Sequence, residues 1–405
     1  MHAPRFNPAL LPIFLIVVVD VLGMTIILPL LPFYAERYGA SPTVVGLLFT
    51  TYSLCQLVAG PILGGLSDRY GRRPLLLVSQ LGTFVGFLIL GSANSLAMIF
   101  LSRFLDGITA GNLSLAQAYI SDVTEPSERS HSFAIIGIAF GIGFLFGPAI
   151  SGYLSHYYSY SPPAWAAAAL SATSIACTYF LLPQAAPHAD DGESGPGGKR
   201  LGIADWGAYL EYFRRPELGR LLADFFVFSL MFGMFLSGFA LFAERRFTID
   251  GRPFGPREVG YLYAYSGFLG LIIQGGLLRR LVKRFGERSL MLVGWSSAAV
   301  GLFGLAGAHP LVLLIPVFTA TAFGNSVLRP CLTACISFRA EKREQGVVLG
   351  LSQSLYSIAM IVAPLVSGWL IGRDRLAAWA CCGAALALLG LTLSREAPSP
   401  ALEAA

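Results

Sequence analysis

The segment Gly64-Gly65-Leu66-Ser67-Asp68-Arg69-Tyr70-Gly71-Arg72-Arg73 is a short, charged, glycine-containing turn between two long apolar runs. Further along the chain, residues 279–288 (RRLVKRFGER) repeat its frame with altered charges. Internal repeats of this kind are a mark of duplicated membrane proteins. The paired turns therefore predict a membrane protein made of two related halves.

The composition is that of a chain embedded in lipid. Of its 405 residues, 55% are hydrophobic and 13% are charged, whereas soluble domains carry about 25% charged residues. A spanning helix needs about 20 mostly apolar residues, because lipid offers the backbone no hydrogen-bonding partner. Twelve runs satisfy this, near residues 10–32, 43–65, 74–93, 97–120, 131–154, 163–182, 219–243, 257–281, 289–307, 310–336, 346–371 and 376–393. The first run contains Asp20, Pro29 and Pro32, so we expect a retained helix rather than a cleaved signal peptide.

Basic residues concentrate in alternate loops, including the two charged turns. Cytoplasmic loops carry the Lys/Arg excess, which predicts a multi-pass protein of the cell membrane with both termini in the cytoplasm. The formal net charge of +5 is thus a signal of topology. No basic groove with interleaved aromatic residues is visible, so we expect no nucleic-acid partner.

The predicted organisation is two six-helix halves, residues 1–182 and 219–405, joined by a cytoplasmic linker at 183–218. Residues 183–202 are rich in Pro, Gly and acidic residues, which is typical of a flexible linker. The aromatic residues of 206–213 recur at helical spacing and predict either an interfacial helix or a lead-in to the seventh span. The halves align at an offset near 216, which pairs Pro148 with Pro364 and residues 151–154 with 367–370. The fold class is therefore an all-α membrane protein of twelve helices in two pseudo-symmetric halves.

Four segments, in order and on the expected spans, carry a resemblance to a known family. They are Gly64-x-Leu66-Ser67-Asp68-Arg69-x-Gly71-Arg72-Arg73, Leu22-Gly23 with Pro29 and Pro32, Arg103-x-x-Asp106-Gly107, and Gly143-x-x-x-Gly147-Pro148-x-x-x-Gly152. The chain resembles the major facilitator superfamily over nearly its whole length. Within the superfamily it is similar to the twelve-helix drug:proton antiporters of the tetracycline-resistance type. The resemblance implies two halves around a midplane cavity and transport by alternating access.

The resemblance also implies a conformational latch in the signature turn, formed by Gly64, Asp68, Arg69, Gly71, Arg72 and Arg73. Arginines there can bind carboxylates or lipid phosphates, and Asp68 can accept hydrogen bonds. Simple positive-inside anchoring is the alternative, and it explains the arginines but neither Asp68 nor the glycine spacing. Lys283 stands at the place of Asp68 in the second turn, so the two turns are not equivalent.

On the fifth span, Gly143, Gly147, Pro148 and Gly152 fit most of the antiporter motif of this family. Ala134 and Ser151 stand where glycine is usual, which weakens the inference of antiport rather than symport. Glycines in a membrane helix also permit close helix packing, and this alternative stays open.

Ionisable residues inside the predicted spans are candidates for proton coupling. A charge at the bilayer centre costs about 2.5–3.5 kcal/mol on insertion scales, so such residues face a cavity or a partner. Asp20 lies midway along the first span, and Arg103 and Asp106 lie one turn apart on the fourth. We hypothesise that Asp20 or Asp106 carries the proton and that Arg103 answers to Asp106. The alternatives are a static Arg103–Asp106 ion pair and a packing hydrogen bond from Asp20.

Candidate substrate-contacting residues come from several spans. Phenylalanines at 228, 232, 235, 239 and 242 share one face of the seventh span, which indicates either an aromatic pocket or a packing stripe. The residues proposed for the substrate cavity are Gln117, Phe228, Phe232, Phe235, Asn325, Arg329, Gln353 and Tyr356.

The favoured function is proton-coupled export of small amphipathic or drug-like compounds. The alternatives are a symporter that takes up a metabolite and a membrane receptor without transport. Three ionisable residues of the tetracycline carriers fall on Gly86, Gly270 and Ser297 here, so export by that family's own mechanism is disfavoured. No nucleophile–base set, phosphate loop, cofactor motif or metal cluster supports an enzyme. The expected partners are a small-molecule substrate, protons and membrane lipid, with one chain functional as a monomer.

Overall fold

The computed structural model describes residues 10–124, 129–183, 211–307, 311–340 and 344–395. Helices account for nearly all of the first part of the chain. They are α1 (Leu10–Arg37), α2 (Pro42–Tyr70), α3 (Arg72–Gly91), α4 (Leu96–Ile108), α5 (Asn112–Val123), α6 (Arg129–Tyr157) and α7 (Pro162–Leu181).

The second part of the chain is also helical, apart from a two-stranded hairpin. The helices are α8 (Pro216–Arg246), α9 (Pro256–Ile272), α10 (Leu278–Gly307), α11 (Leu314–Arg339), α12 (Gln345–Ile371) and α13 (Leu376–Arg395). A π-helical turn at Ile273–Leu277 joins α9 to α10, and a 3₁₀ turn at Leu311–Leu313 precedes α11. Strands β1 (Thr248–Ile249) and β2 (Arg252–Pro253) pair antiparallel between α8 and α9.

Within the described residues, nine helical stretches are long and apolar enough to cross a membrane. One of them, Pro256–Gly307, runs through α9, the π-helical turn and α10, and so covers two predicted spans. The predicted fourth span is divided between α4 and α5. Each of the twelve apolar runs falls mainly on helix in the described part of the chain, so the prediction of an all-α, multi-pass membrane fold is confirmed.

Residue contacts divide the chain into two compact units. The first unit comprises Met1–Ala40, Thr51–Asp190 and Phe254–Phe268, and the second comprises Ser41–Thr50, Asp191–Pro253 and Leu269–Ala405. Each unit therefore consists mainly of one predicted half plus a short segment from the other half. Most of the predicted linker and interfacial helix, residues 184–210, lies outside the described residues, so that part of the domain assignment stays a prediction.

The two charged turns have the same backbone conformation. Gly71 has φ 94° and Gly286 has φ 75°, a region that favours glycine because it has no Cβ. After each glycine an arginine donates to a backbone carbonyl near the end of the last helix of its half. Arg73 donates to Tyr179 O, and Arg288 donates to Arg395 O. The duplication inferred from the sequence is therefore visible in matched contacts.

In the first unit α1 is the central helix and packs against α6 and α7. It is apolar along most of its surface, as expected of a membrane-spanning helix. Ile13, Ile16 and Val17 lie in one cluster with Tyr119 and Ile120 of α5. Of the polar residues on α1, Thr25 is completely buried and Asp20 is half-buried.

Repeat-related glycines bring helices into close contact in both units. In the second unit a Cβ at Gly46 would overlap the Pro364 carbonyl oxygen, and in the first unit a Cβ at Gly260 would overlap the Pro148 carbonyl oxygen. Small residues let backbones approach in this way, which favours association in lipid. Helix α2 thus begins against α12, and α9 begins against α6.

Candidate functional site

The site is centred on an ion pair inside the first unit. Arg103 and Asp106 lie one turn apart on α4, and Arg103 Nη1 is 3.2 Å from Asp106 Oδ2. Each residue is only 6% exposed. Charges so deeply buried are stable only with a partner, so the pair places one cation and one anion at a defined point of the unit.

A helix break follows this pair directly. Helix α4 ends at Ile108, and α5 begins at Asn112. The Ser79 hydroxyl of α3 donates to the Thr109 carbonyl, and the Gly111 amide donates to Ser79 Oγ over 2.9 Å. A side chain therefore satisfies backbone groups that the break leaves without helical partners. Discontinuous helices mark binding sites in several transporter folds.

Asp20 on α1 belongs to the same cluster. Its hydrogen-bonding neighbours are Ser174 and Gln80, and it also interacts electrostatically with Asp106. Gln80 Nε2 donates to Ser174 Oγ over 2.7 Å, which fixes the positions of both side chains. Two carboxyl groups thus belong to one cluster with a single guanidinium.

The Arg103 guanidinium does not use all of its hydrogen-bond donors. Its Nη2 atom is buried without a hydrogen-bond partner, and its central carbon lies 5.9 Å from the centre of the Phe87 ring. A buried N–H group without an acceptor costs free energy, because it has lost its hydrogen bonds to water. The cluster can therefore accept a further negative or hydrogen-bonding group.

In the predicted latch, Arg72 is the central residue. Arg72 Nη1 is 2.6 Å from Asp68 Oδ1, and Arg72 Nε is 2.8 Å from Asp122 Oδ2 of α5. Arg72 Nη1 also donates to Ser67 Oγ, which in turn donates to the Gly64 carbonyl. This network ties the end of α2 and the start of α3 to α5.

The other basic residues of the turn differ in their surroundings. Arg73 lies over the Tyr179 ring at 5.7 Å, in addition to its bond to the Tyr179 carbonyl. Arg69 is exposed, as is Lys283 at the matching position of the second turn. Planar guanidinium groups favour such combined stacking and hydrogen bonding, so Arg72 and Arg73 have specific contacts that charge alone does not require.

The glycine motif on α6 packs against α1. A Cβ at Gly143 would lie 2.5 Å from Val21, and one at Gly147 would overlap Thr25 Oγ1. Thr25 Oγ1 is 2.8 Å from the Gly143 carbonyl oxygen. The close packing suggested by the sequence is therefore present.

The rest of the motif meets α9. Pro148 contacts Gly260 as described above, and a Cβ at Gly152 would lie 3.0 Å from the Pro256 carbonyl oxygen. Helix α6 therefore contacts two helices through one set of small residues.

The polar residues proposed for the second half form one close pair. The Arg329 guanidinium of α11 lies over the Tyr356 ring of α12 at 5.4 Å. Asn325, one turn before Arg329, has a buried Oδ1 atom without a hydrogen-bond partner. Gln353 is exposed, and so is Gln117 on α5 of the first unit.

The phenylalanines of α8 are engaged in packing within the second unit. Phe228 and Phe232 stack at 5.9 Å, and Phe235 lies 5.4 Å from Phe318 of α11. Phe228 and Phe235 are almost completely buried, whereas Phe232 is half-buried. Of the two interpretations offered by the sequence, packing accounts for the contacts of Phe228 and Phe235.

Two departures from the tetracycline carriers have a structural counterpart. A Cβ at Gly86 would lie 3.2 Å from the Asp106 Cβ, so a carboxylate at that position would crowd Asp106. The Ser297 hydroxyl donates to the Ala320 carbonyl over 2.8 Å and thus links α10 to α11. Both positions serve helix packing here.

Sequence reasoning missed one buried carboxylate, Asp224 on α8. It is 1% exposed and accepts a hydrogen bond from Ser394. The signal that identified Asp20, an isolated acidic residue inside an apolar run, applies equally to Asp224.

Duplicated helical units with buried ionic groups define a membrane-transporter architecture. The chain belongs to the Major Facilitator Superfamily, whose sequence model matches residues 13–364. It is 30% identical over 372 residues to the class E tetracycline resistance protein of Escherichia coli, covering 91% of this chain and 89% of that protein. It is 26% identical to Multidrug resistance protein 2 of Bacillus subtilis, covering 86% of this chain and 84% of that protein.

Solved structures share the fold. The human organic anion transporter MFSD10 (TETRAN) matches with a TM-score of 0.73 at 23% identity, covering 97% of this chain and 100% of that one. A peptide transporter, POT in complex with sulfate, matches with a TM-score of 0.73 at 14% identity, covering 98% and 96%. The twelve-helix transporter fold expected from the sequence is therefore confirmed.

Proposed function

We propose that the protein is a proton-coupled exporter of small amphipathic compounds that works by alternating access. The observation that carries the proposal is the cluster of the half-buried Asp20 with the buried Arg103–Asp106 pair in the first unit. A proton-coupled carrier needs a group that changes charge within the membrane, and a carboxyl among protein dipoles can do so. The similarity to tetracycline and multidrug resistance proteins supports export of drug-like molecules.

Within this proposal Asp20 is the proton carrier. Its hydrogen-bonding neighbours Ser174 and Gln80 are uncharged, whereas Asp106 has Arg103 at 3.2 Å. Asp106 thus has a paired cation, whereas none of the described groups that act on Asp20 is a cation, which leaves Asp20 the more suitable group to change charge. Protonation of Asp20 removes its repulsion with Asp106, and deprotonation restores it. The charge at this point of α1 thus depends on the proton concentration on the side that has access.

Arg103 is proposed to respond to the charge on Asp20. Together with the Asp20 carboxylate, its free Nη2 donor can bind polar groups of the substrate once Asp20 has released its proton. Competition between proton and substrate for one electrostatic site is sufficient to couple their movements, because each then binds better in the absence of the other.

The remaining assignments follow from this scheme. The residues of the turn at 64–73 serve as the conformational latch, and the glycines of α6 serve as a close-packing hinge. Arg329, Tyr356 and Asn325 contact substrate from the second unit, and Gln117, Gln353 and Phe232 supply further contacts. The protein resides in the cell membrane with both termini in the cytoplasm, where its arginines contact lipid phosphates, and it acts as a monomer.

Uptake by symport is the second candidate, and the two departures from the antiporter motif, Ala134 and Ser151, favour it. Flux in reconstituted vesicles separates the two functions. With an acidic lumen, antiport moves the substrate into the lumen as protons leave, whereas symport moves it out. The probes are tetracycline and a panel of fluorescent amphipathic dyes.

We expect at least one probe to accumulate in the acidic lumen, with no accumulation by the Asp20→Asn variant. Movement toward the alkaline side would establish symport. A complete lack of gradient-dependent flux across the panel would favour a receptor without transport.

A further inference from the structure

A second buried carboxyl group ends a chain of hydrogen bonds that crosses three helices of the second unit. Trp295 Nε1 of α10 donates to Ser394 Oγ of α13 over 3.0 Å. Ser394 Oγ donates to Asp224 Oδ2 of α8 over 2.5 Å. Asp224 is 1% exposed, and the other two residues are completely buried. None of the roles assigned above uses this chain.

The direction of the hydrogen bonds is fixed by chemistry. An indole N–H can only donate, so Ser394 accepts from Trp295 and has its single proton available for Asp224. Asp224 Oδ2 is therefore an acceptor. The other oxygen, Oδ1, is buried without a hydrogen-bond partner.

Packing holds the donors in place. A Cβ at Gly390 would overlap the Trp295 ring, so the indole lies directly on the α13 backbone, one turn before Ser394. Phe228, one turn after Asp224, also contacts the indole, edge-on with the ring centres 6.4 Å apart. The position of Asp224 between α10 and α13 is thus fixed from two sides.

No cation compensates Asp224 among the residues that the structure describes. The groups that act on its carboxyl are Ser394 and Trp295, both uncharged. The Cys335 thiol of α11 interacts electrostatically with Asp224, and also with Glu287 of α10 and with Arg339. Arg220, one turn earlier on α8, is not among the groups that act on this carboxyl.

A carboxylate in this setting would be unfavourable. Burying an ionised group costs several kcal/mol unless a countercharge or several hydrogen bonds compensate it, and the groups that act on Asp224 are two uncharged donors, Ser394 and Trp295. Burying the neutral acid costs only the unmade bond at Oδ1. Geometry therefore favours a carboxyl group that holds its proton on Oδ1.

The repeat reinforces this inference. Asp20 lies on the first helix of its half, between Gln80 of the third helix and Ser174 of the sixth. Asp224 lies on the first helix of the second half, between the corresponding third and sixth helices, α10 and α13. Trp295 aligns with Gln80 in the duplicated sequence. Both halves thus hold one acid between the same three helices, about three turns apart along the first of them.

We propose that Asp224 is a second proton-binding site, which holds a proton while α8, α10 and α13 are packed together and transfers it to water when they separate. The O–H bond of the carboxyl breaks, water takes the proton, and the carboxylate stays on α8. The binding of the proton does not depend on the function proposed above. Its release during transport does rest on that function.

Infrared spectroscopy of the purified full-length protein in lipid nanodiscs tests the binding step directly. A protonated carboxyl has a C=O stretching band that is separate from the bands of carboxylates and amides. At neutral pH we expect a band of this kind that is shared by the wild type and Asp20→Asn and is lost in Asp224→Asn. Asp374→Asn, at an exposed turn of the same unit, is the matched control and should leave the band unchanged. Identical spectra of wild type and Asp224→Asn would show that Asp224 is ionised and would overturn the proposal.

A second variant keeps the test decisive if Asp224→Asn does not fold. Ser394→Ala removes the donor to Oδ2 and leaves the acid in place, so it should shift the band of the protonated acid without removing it. A spectrum unaffected by this change would contradict the proposal.

Release is tested in the same sample by adding a transported probe. Loss of intensity in the Asp224 band supports release, and an unchanged band overturns the release step while leaving proton binding intact. If no probe is transported but the band is present, the proposed function fails and the binding site stands.

Discussion

Replacing Asp106 with alanine tests the energetics of the buried ion pair. The change leaves the Arg103 guanidinium 6% exposed without the carboxylate that lies 3.2 Å away. Removing one member of a buried pair costs about 3–5 kcal/mol, because the other charge stays buried. Arg103 keeps its contact with the Phe87 ring, and cation–π contacts contribute about 0.5–2 kcal/mol. We therefore expect a loss near the lower end, about 3 kcal/mol.

The double variant Arg103→Met/Asp106→Ala separates charge from packing. It removes both ions, and apolar replacement of a buried pair is often neutral, so most of the stability should return. Transport should be lost in both variants if the pair takes part in coupling. A stable double variant without transport would distinguish a functional pair from a merely structural one.

The assay is equilibrium unfolding in detergent micelles followed by intrinsic fluorescence. Glu217→Ala is the matched control, because it breaks the 2.8 Å ion pair with Arg339 in which the Glu217 side chain is 49% exposed. Exposed pairs contribute about 0–1 kcal/mol. Equal, small losses for Asp106→Ala and Glu217→Ala would refute the reasoning, since they would mean that the Arg103 cation reaches water.

Other contacts give further expected outcomes. Gly147→Ala forces a methyl group onto Thr25 of α1 and should destabilise the protein by about 1–3 kcal/mol. Gly137→Ala on the same helix places its methyl group where no atom lies within 4 Å and should be tolerated, and thermal melting compares the two variants. Arg72→Lys keeps the charge but cannot reproduce the contacts with Asp68 and Asp122, so its transport rate should fall more than that of Arg69→Lys. Equal transport rates in the two variants would contradict a specific latch at Arg72. Hydrogen bonding from Arg215 lowers the pKa of Glu344 below its ordinary 4.5, so the stability that this pair adds is complete above about pH 4.5 and is lost as pH falls through the lowered pKa. Glu344→Gln should therefore lower the free energy of unfolding at pH 7 by at most about 1 kcal/mol. A stability difference between wild type and variant that widens in acid would contradict this.

The fold was accessible from sequence because lipid leaves few choices. Long apolar runs must form helices, and the charged turns at 64–73 and 279–288 fix where the repeat begins. What the pattern could not show is where helices are interrupted. The break at Thr109–Gly111 depends on Ser79 of α3, a contact across 30 residues, and the π-helical turn at Ile273–Leu277 has only Gly275 and Gly276 as a local signal.

The candidate site was accessible in part. Asp20, Arg103 and Asp106 stand out as ions in apolar runs, but their grouping requires Gln80 and Ser174, which are ordinary polar residues in sequence. The phenylalanines of α8 show the limit of periodicity. A shared face does not distinguish a pocket from the packing contact between Phe235 and Phe318. Asp224 had the same signal as Asp20, and its significance depends on Ser394 at the far end of the chain.

The most direct test of the central claim is proton release on binding of a transported probe to the detergent-solubilised protein. If the probe and the proton compete at Asp20, the wild type should release protons into weakly buffered solution when the probe is added. Asp20→Asn should bind the probe without release, while Asp374→Asn should behave like the wild type. Undiminished release from a folded Asp20→Asn variant would contradict the account.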